Sequence, residues 1–325
     1  MDAPLRIRQI VPSLNDLCGI AYFAQAMQGQ LQGAGALVET SDGTGGGKRA
    51  DVIVLHHHSE VISDSAVAEL CARADAPVIL FPHADDARHL YPMVAGVVAM
   101  AADLVRDAGC PGHFFPHPAW VPEALSGRPV LRRKLGLPPD QYIIGSNGFL
   151  KFEREFDRVV HHVLERTEGL GVCLYLVLSP WRLASPGLLE RLEAYAAAHP
   201  ARLILSYRRL ETPELNIRLQ ACDLLWCWTN AESSAYASGV AADQYASGTR
   251  IVVADKRQHS GILGLPNVVP VSGGVEALCD QLLEEASARN AQRHDPLPVS
   301  WRGVAPGVLR FLQGVADGSW KYRST

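Results

Sequence analysis

The stretch ACDLLWCWTNAESSAYASGVAADQYASGTRIVVAD, residues 221–255, decides the fold. An apolar run at 223–229 passes into a loop of small and polar residues. A helix-length segment follows at 239–247, and a second apolar run closes the stretch at 250–255. Neither run alternates apolar with polar residues. Unbroken apolar runs of this length suit strands of a parallel sheet covered on both faces, and strand–helix–strand is the unit that such sheets repeat. Within it, Ser238 is a good N-cap and Gly239, Val240 and Ala241 open the helix.

The same alternation extends in both directions. Strand-like runs lie at 142–148, 172–179, 202–207 and 268–271 in the second half, and at 7–13, 51–57 and 77–83 in the first, with a weaker one at 113–118. Helix-length segments fall between them at 20–32, 61–74, 153–167, 186–199, 213–221 and 274–289. The expectation is an α/β chain of two doubly wound, Rossmann-like domains facing a cleft. The sheet of the second half has six strands, and that of the first half is smaller. The segment 121–141 carries Pro, Gly and charges and reads as the link between them. The expected domains are 1–125 and 126–304, with an amphipathic last helix at 305–325 able to pack back on the first.

Composition narrows the function classes. The chain has 325 residues, 48% apolar and 20% charged, a globular balance. A formal charge of -4 speaks against a nucleic-acid binder with a broad basic face. Seven scattered cysteines (18, 71, 110, 173, 222, 227 and 279) form no CxxC pair, so reduced thiols and no zinc ribbon are expected. No charged-then-apolar leader and no apolar run near 18 residues is present. A cytoplasmic protein is expected, with peripheral contact at the inner face of a membrane left open. No GxGxxG follows a strand, which ranks a dehydrogenase low.

Ligands of doubly wound sheets bind beyond the carboxyl ends of the strands, so the residues there carry the functional reading. Gly19 follows the first strand and precedes a helix. His56, His57 and His58 end the 51–57 run; successive side chains of a strand point to opposite sides, so the three cannot share one metal. His83 follows the 77–83 run beside Asp85 and Asp86, where an imidazole can bond a sugar hydroxyl or carry a proton. Gly148, Lys151 and Arg154 lie between a strand and a helix, an arrangement suited to a diphosphate. Ser238, Gly239 and Val240 offer the N-terminus of the next helix. Asp243 lies within that helix, on the face of Gly239 or Val240 and Gln244, where a carboxylate can accept hydrogen bonds from ribose hydroxyls.

The segments GSNGFLKFEREFDRVV (145–160) and 221–255 together resemble the donor domain of retaining glycosyltransferases of family GT4, which have the GT-B architecture. CGIAYFAQAM (18–27) looks like that family's N-terminal glycine loop, and VILFPH (78–83) like its acceptor-side strand with a histidine. The resemblance implies a role for each position. Arg154, assisted by Lys151, meets the diphosphate. Ser238, Gly239 and Val240 meet the distal phosphate or the sugar. Asp243 stands where the family has its ribose-binding glutamate, and His83 faces the transferred sugar. The chain departs from the family at Ala235, where the first glutamate of the Glu-x7-Glu motif is missing. Glu232 is the carboxylate close by, and a Ser-rich loop like 233–238 replaces that glutamate in a subset of the family. Phe149 stands where an arginine is common.

The reading is a hexosyltransferase moving a sugar from a nucleoside diphosphate to an acceptor hydroxyl, with retention and without metal or other cofactor. His83 and Arg154 are its catalytic candidates. Its expected partners are a nucleotide-sugar donor and a saccharide or lipid-linked acceptor, as in polysaccharide biosynthesis. The alternatives are a nucleotide-sugar epimerase, with Asp85, Asp86 and Glu232 as candidate carboxylates, and a non-catalytic GT-B-like scaffold.

Overall fold

In the computed structural model the described residues are 3–14, 19–43, 49–59, 61–83, 87–106, 108–151, 154–180, 187–230 and 237–320. Contacts group the chain into two units. The first takes Met1–His117, Ser233–Ala237 and Trp301–Thr325; the second takes Pro118–Glu232 and Ser238–Ser300.

The first unit holds strands β1 (Arg6–Ile10), β2 (Leu37–Ser41), β3 (Val52–His57), β4 (Val78–Pro82), β5 (Gly96–Ala99) and β6 (Gly112–Phe114). They form one parallel sheet in the order β2-β1-β3-β4-β5-β6. This sheet is as large as that of the second unit, which corrects the expectation of a smaller one. Two strands escape the apolar-run criterion. β2 (LVETS) is an edge strand with polar and exposed positions, and β5 (GVVA) has only four residues. The helices are α1 (Gly19–Gly33), α2 (Asp64–Arg73), α3 (Ala102–Arg106) and, from the far end of the chain, α10 (Trp301–Ala316). Strand side chains alternate between two covered faces, as a parallel sheet requires. Val52 and Val54 join Met27, Leu31, Val308 and Phe311 on the face of α1 and α10. Ile53 and Leu55 join Val67, Leu70, Leu90 and Leu104 on the other.

The second unit holds β7 (Tyr142–Phe149), β8 (Val172–Ser179), β9 (Leu203–Tyr207), β10 (Leu224–Cys227), β11 (Arg250–Ala254) and β12 (Val268–Val271). Their order is β12-β11-β10-β7-β8-β9, again parallel. Its helices are α4 (Arg128–Leu135), α5 (Phe156–Arg166), α6 (Leu188–Ala198), α7 (Thr212–Gln220), α8 (Gly239–Ala246) and α9 (Val275–Ser287). α4 lies inside the segment expected to be a plain link. Pro129 in its first turn and Gly136 in the left-handed region at its end mark both boundaries. It is anchored rather than loose: Arg132 donates to the carbonyls of Ala221, Pro139 and Gln141 and pairs with Asp223.

Chain order sets where a ligand meets each sheet. In the second unit the chain runs outward through β7, β8 and β9, then restarts at β10 and runs the other way. The reversal lies between β7 and β10; in the first unit it lies between β1 and β3. Crevices form at such reversals, at the carboxyl ends of the strands.

Candidate functional site

In the second unit, the ends of β7, β10 and α8 converge. Gly148 has φ +133, a left-handed value open to glycine, and a Cβ placed there would meet Val240 Cγ2 at 3.2 Å. The absence of a side chain lets the end of β7 approach the first turn of α8. Ser238 caps that helix, its Oγ accepting from Ala241 N at 3.2 Å. The N–H groups of Gly239 and Val240 belong to the first turn, which has no intrahelical acceptors, and the helix dipole adds partial positive charge there.

Arg154 is aimed at this point by the turn that carries it. Glu155 adopts a left-handed backbone (φ 47), uncommon for a side chain of its size. Its carboxylate accepts from Trp228 Nε1 at 2.8 Å and pairs with Arg158. With Glu155 held so, Arg154 Nη1 reaches back across the sheet to Trp228 O at 3.3 Å and Cys227 Sγ at 3.4 Å. Among the described residues Arg154 makes no other side-chain hydrogen bond.

Cys227 ends β10 and is buried. Its sulfur lies 3.5 Å from His259 Nε2 and 4.0 Å from Ser238 Oγ. The Nδ1–H of His259 donates to Ala254 O at 2.7 Å, which turns Nε2 toward the sulfur. Burial alone would raise the thiol pKa. His259 and Arg154 outweigh burial and bring it down to about 6. The guanidinium, the imidazole and a readily ionised thiol thus meet beside the N-terminus of α8.

Gln244 locks the frame. Its Nε2 donates to Asn147 Oδ1 at 2.9 Å and to Trp226 O at 2.8 Å, and Ser146 Oγ donates to Trp226 O at 2.7 Å. Gln244, Asn147, Ser146 and Trp226 are all buried, so these hydrogen bonds tie the two strand ends and α8 together.

Asp243 does not share the face of Gln244, which corrects the sequence expectation. Consecutive helix positions point about 100° apart. Gln244 turns to the sheet, while Asp243 lines a crevice with Trp120, Thr212, Leu215, Asn216 and Leu219. Desolvation there raises its pKa from the ordinary 3.8 to about 7. Lys151 follows β7 in a tight turn, its N–H donating to Phe149 O at 2.9 Å and its carbonyl accepting from Arg154 N at 3.1 Å. Glu232, Asp85 and Asp86 lie outside the described residues.

The first unit carries the remaining candidates. Gly19 is the first residue of α1. His83 is half-buried just beyond β4, with Phe23 of α1 packed edge-on against it at 5.1 Å between ring centres. His56 and His57 are buried and point apart. His56 Nδ1 is 2.9 Å from His83 Nε2, and His57 Nε2 bonds Ile62 O at 3.1 Å. No group of three or more His, Cys, Asp or Glu suited to a metal occurs among the described residues.

The residues that pattern reading overlooked are Cys227, His259, Gln244 and Asn147. The first sits in an apolar strand and reads as core. The visible signal was positional, because Cys227 and Asn147 both stand at the carboxyl ends of the strands flanking the chain reversal.

No helix among the described residues is long and apolar enough to cross a membrane. No protein-family model and no curated protein sequence matches the chain. Solved structures do match over nearly its whole length. A glycosyltransferase from Rickettsia africae ESF-5 superposes with a TM-score of 0.65 at 11% identity, covering 97% of this chain and 96% of that one. The catalytic domain of starch synthase IV from Arabidopsis thaliana, bound to ADP and acarbose, gives 0.63 at 12%, covering 97% and 100%. Anabaena Alr3699/HepE, in complex with UDP-glucose, gives 0.61 at 14%, covering 96% and 98%. Two parallel six-stranded sheets with alternating helices match the fold of these GT-B glycosyltransferase structures.

Proposed function

We propose that the chain is a glycosyltransferase that moves a sugar from a nucleoside-diphosphate donor to an acceptor hydroxyl, retaining the anomeric configuration, in the manner of family GT4. The observation that carries this reading is the meeting of Arg154 with the capped N-terminus of α8 beside Cys227, at the chain reversal of the second sheet. An anion is what such a place accommodates.

The leaving group of the reaction is a diphosphate, and its growing charge is the main electrostatic task. Arg154 would take that charge by exchanging its contacts with Cys227 and Trp228 for phosphate oxygens, with Lys151 and the N–H groups of Gly239 and Val240 beside it. No metal is called for in this reading. Asp243 would accept hydrogen bonds from the ribose hydroxyls, which favour its ionised form. His83 would contact the transferred sugar. Among the similar structures, HepE binds UDP-glucose, a nucleoside-diphosphate sugar, and the starch synthase IV domain binds ADP, a nucleoside diphosphate. The acceptor would be a saccharide or a lipid-linked saccharide, met at the cytoplasmic face of a membrane.

A thermal-shift panel with UDP, GDP, ADP and dTDP tests the reading on the wild type and on Arg154→Ala. Ligand at about a hundred times its Kd stabilises by about 2.7 kcal/mol. One diphosphate is expected to shift the wild type and to lose its effect in the variant. If none of the four shifts the wild type, the chain is a non-catalytic scaffold on this fold.

A further inference from the structure

In the first unit, a chain of buried and part-buried hydrogen bonds runs from α1 and β2 to His83, and its direction is fixed from the far end. The carbonyl of Val38 can only accept. Gln28 Nε2 donates to it at 3.2 Å, which turns Gln28 Oε1 toward Thr40. Thr40 Oγ1 must then donate to Gln28 Oε1, at 2.8 Å, and its lone pairs accept from Gln9 Nε2 at 3.2 Å. The second amide hydrogen of Gln9 goes to the carbonyl of Ala24 at 3.1 Å. Both Gln9 hydrogens are therefore committed, and its Oε1 faces His56 Nε2 at 2.8 Å, so that nitrogen carries the proton.

The rest follows from His56 being neutral. It is buried among Phe23, Phe81 and His83. Among the described residues, the ionisable groups whose charge bears on His83 are His56, His57, His58 and His117, and each disfavours a positive charge there. Burial lowers the pKa of His56 to about 3, and burial together with these neighbours lowers that of His83 well below the ordinary value. A neutral His56 with its proton on Nε2 has a lone pair on Nδ1. His83 Nε2, 2.9 Å away, must donate to it.

We propose that Gln9 and His56 are positioning residues that hold His83 as its neutral Nε2–H tautomer, so that its Nδ1 presents a lone pair to the ligand. The group recognised there is a hydrogen-bond donor such as a sugar hydroxyl, and an ionised carboxylate or phosphate is refused because His83 has no proton to offer it. The identity of the ligand rests on the glycosyl-transfer reading; the tautomer does not.

Two-bond 15N–1H NMR on 15N-histidine-labelled protein tests this without any ligand, the His83 resonances being assigned by their loss in His83→Asn. In the wild type, His83 Nδ1 is expected to be unprotonated and Nε2 protonated, without titrating between about pH 5 and 8. Gln9→Met removes the acceptor for His56 and is expected to bring in a second His83 species with its proton on Nδ1. A wild-type His83 protonated on Nδ1, or one that titrates as an ordinary histidine, overturns the proposal, and that measurement decides even if the variant fails to fold. If the tautomer is as expected while none of the four nucleoside diphosphates binds, the transfer reading falls and the relay stands.

Discussion

The two ends of the second sheet both gather arginines, and they treat them differently. At the amino end, Asp223 pairs with Arg132 and lies 3.7 Å from Arg128, and it also accepts from the backbone of Ile143 at 2.8 Å. Carbonyls accept from further arginine donors there: Cys222 and Ala291 from Arg128, Ala221, Pro139 and Gln141 from Arg132, and Gln220 from Arg293. At the carboxyl end, Arg154 contacts one carbonyl and one sulfur. At 3.4 Å a cysteine sulfur holds a guanidinium less firmly than a carboxylate does. The first arrangement holds its arginines with a carboxylate and several carbonyls and serves stability. The second leaves a cation with partners that phosphate oxygens can displace.

Substitutions at the two ends should separate these roles. Asp223→Ala leaves buried guanidinium groups without their counter-charge and the Ile143 N–H without its acceptor. It is expected to cost about 3–5 kcal/mol of stability in chemical denaturation. Arg154→Met should do the opposite. It is expected to cost the ligand-free chain less than about 1 kcal/mol, while abolishing the ~2.7 kcal/mol of stabilisation given by a saturating nucleoside diphosphate. Large destabilisation by Arg154→Met would erase the contrast between the two ends.

Asp243 sharpens the comparison through pH. Its folded pKa is raised, so between 3.8 and about 7 the folded state holds a proton that the unfolded state has released. The contribution of Asp243 to stability therefore falls as pH rises through that window and is flat beyond it. Asp243→Asn is expected to remove this slope and to be more stable than the wild type above pH 7 by about 1–2 kcal/mol, part of the cost being relieved by solvent on its open side. Urea titrations at several pH values measure it. The smallest effect expected is that of Ser238→Ala, about 1 kcal/mol from loss of the cap on α8. With it should come weaker nucleoside-diphosphate binding in the same thermal-shift assay.

The β-α-β order was legible because strands buried on both faces leave unbroken apolar runs, such as 142–148 and 250–255. β2 and β5 were not, because an edge strand carries polar residues and a four-residue strand merges with its surroundings. Arg154 and Ser238 were legible because a charge and an N-cap residue stand out where an apolar strand gives way to a helix. Cys227 and His259 were not, since a Cys within DLLWCWT reads as core and its partner lies 32 residues away. Gln9 was hidden in the same manner: its role exists only through His56, 47 residues further on, and no local pattern encodes a contact at that range.

The placement of α10 bears on how the polypeptide is made. Val304, Val308, Phe311 and Leu312 complete the core that Met27, Leu31, Phe81 and Phe115 begin. A ribosome adds about 5–20 residues per second, so the stretch from Pro118 to Ser300 takes on the order of ten to forty seconds to emerge. During that interval the first-made segment lacks one wall of its core, and by its end the middle of the chain contains every element of its own sheet. The second unit is thus the one whose core is assembled first along the chain, and the amino-terminal segment leaves the apolar face that α10 covers open until Phe311 arrives.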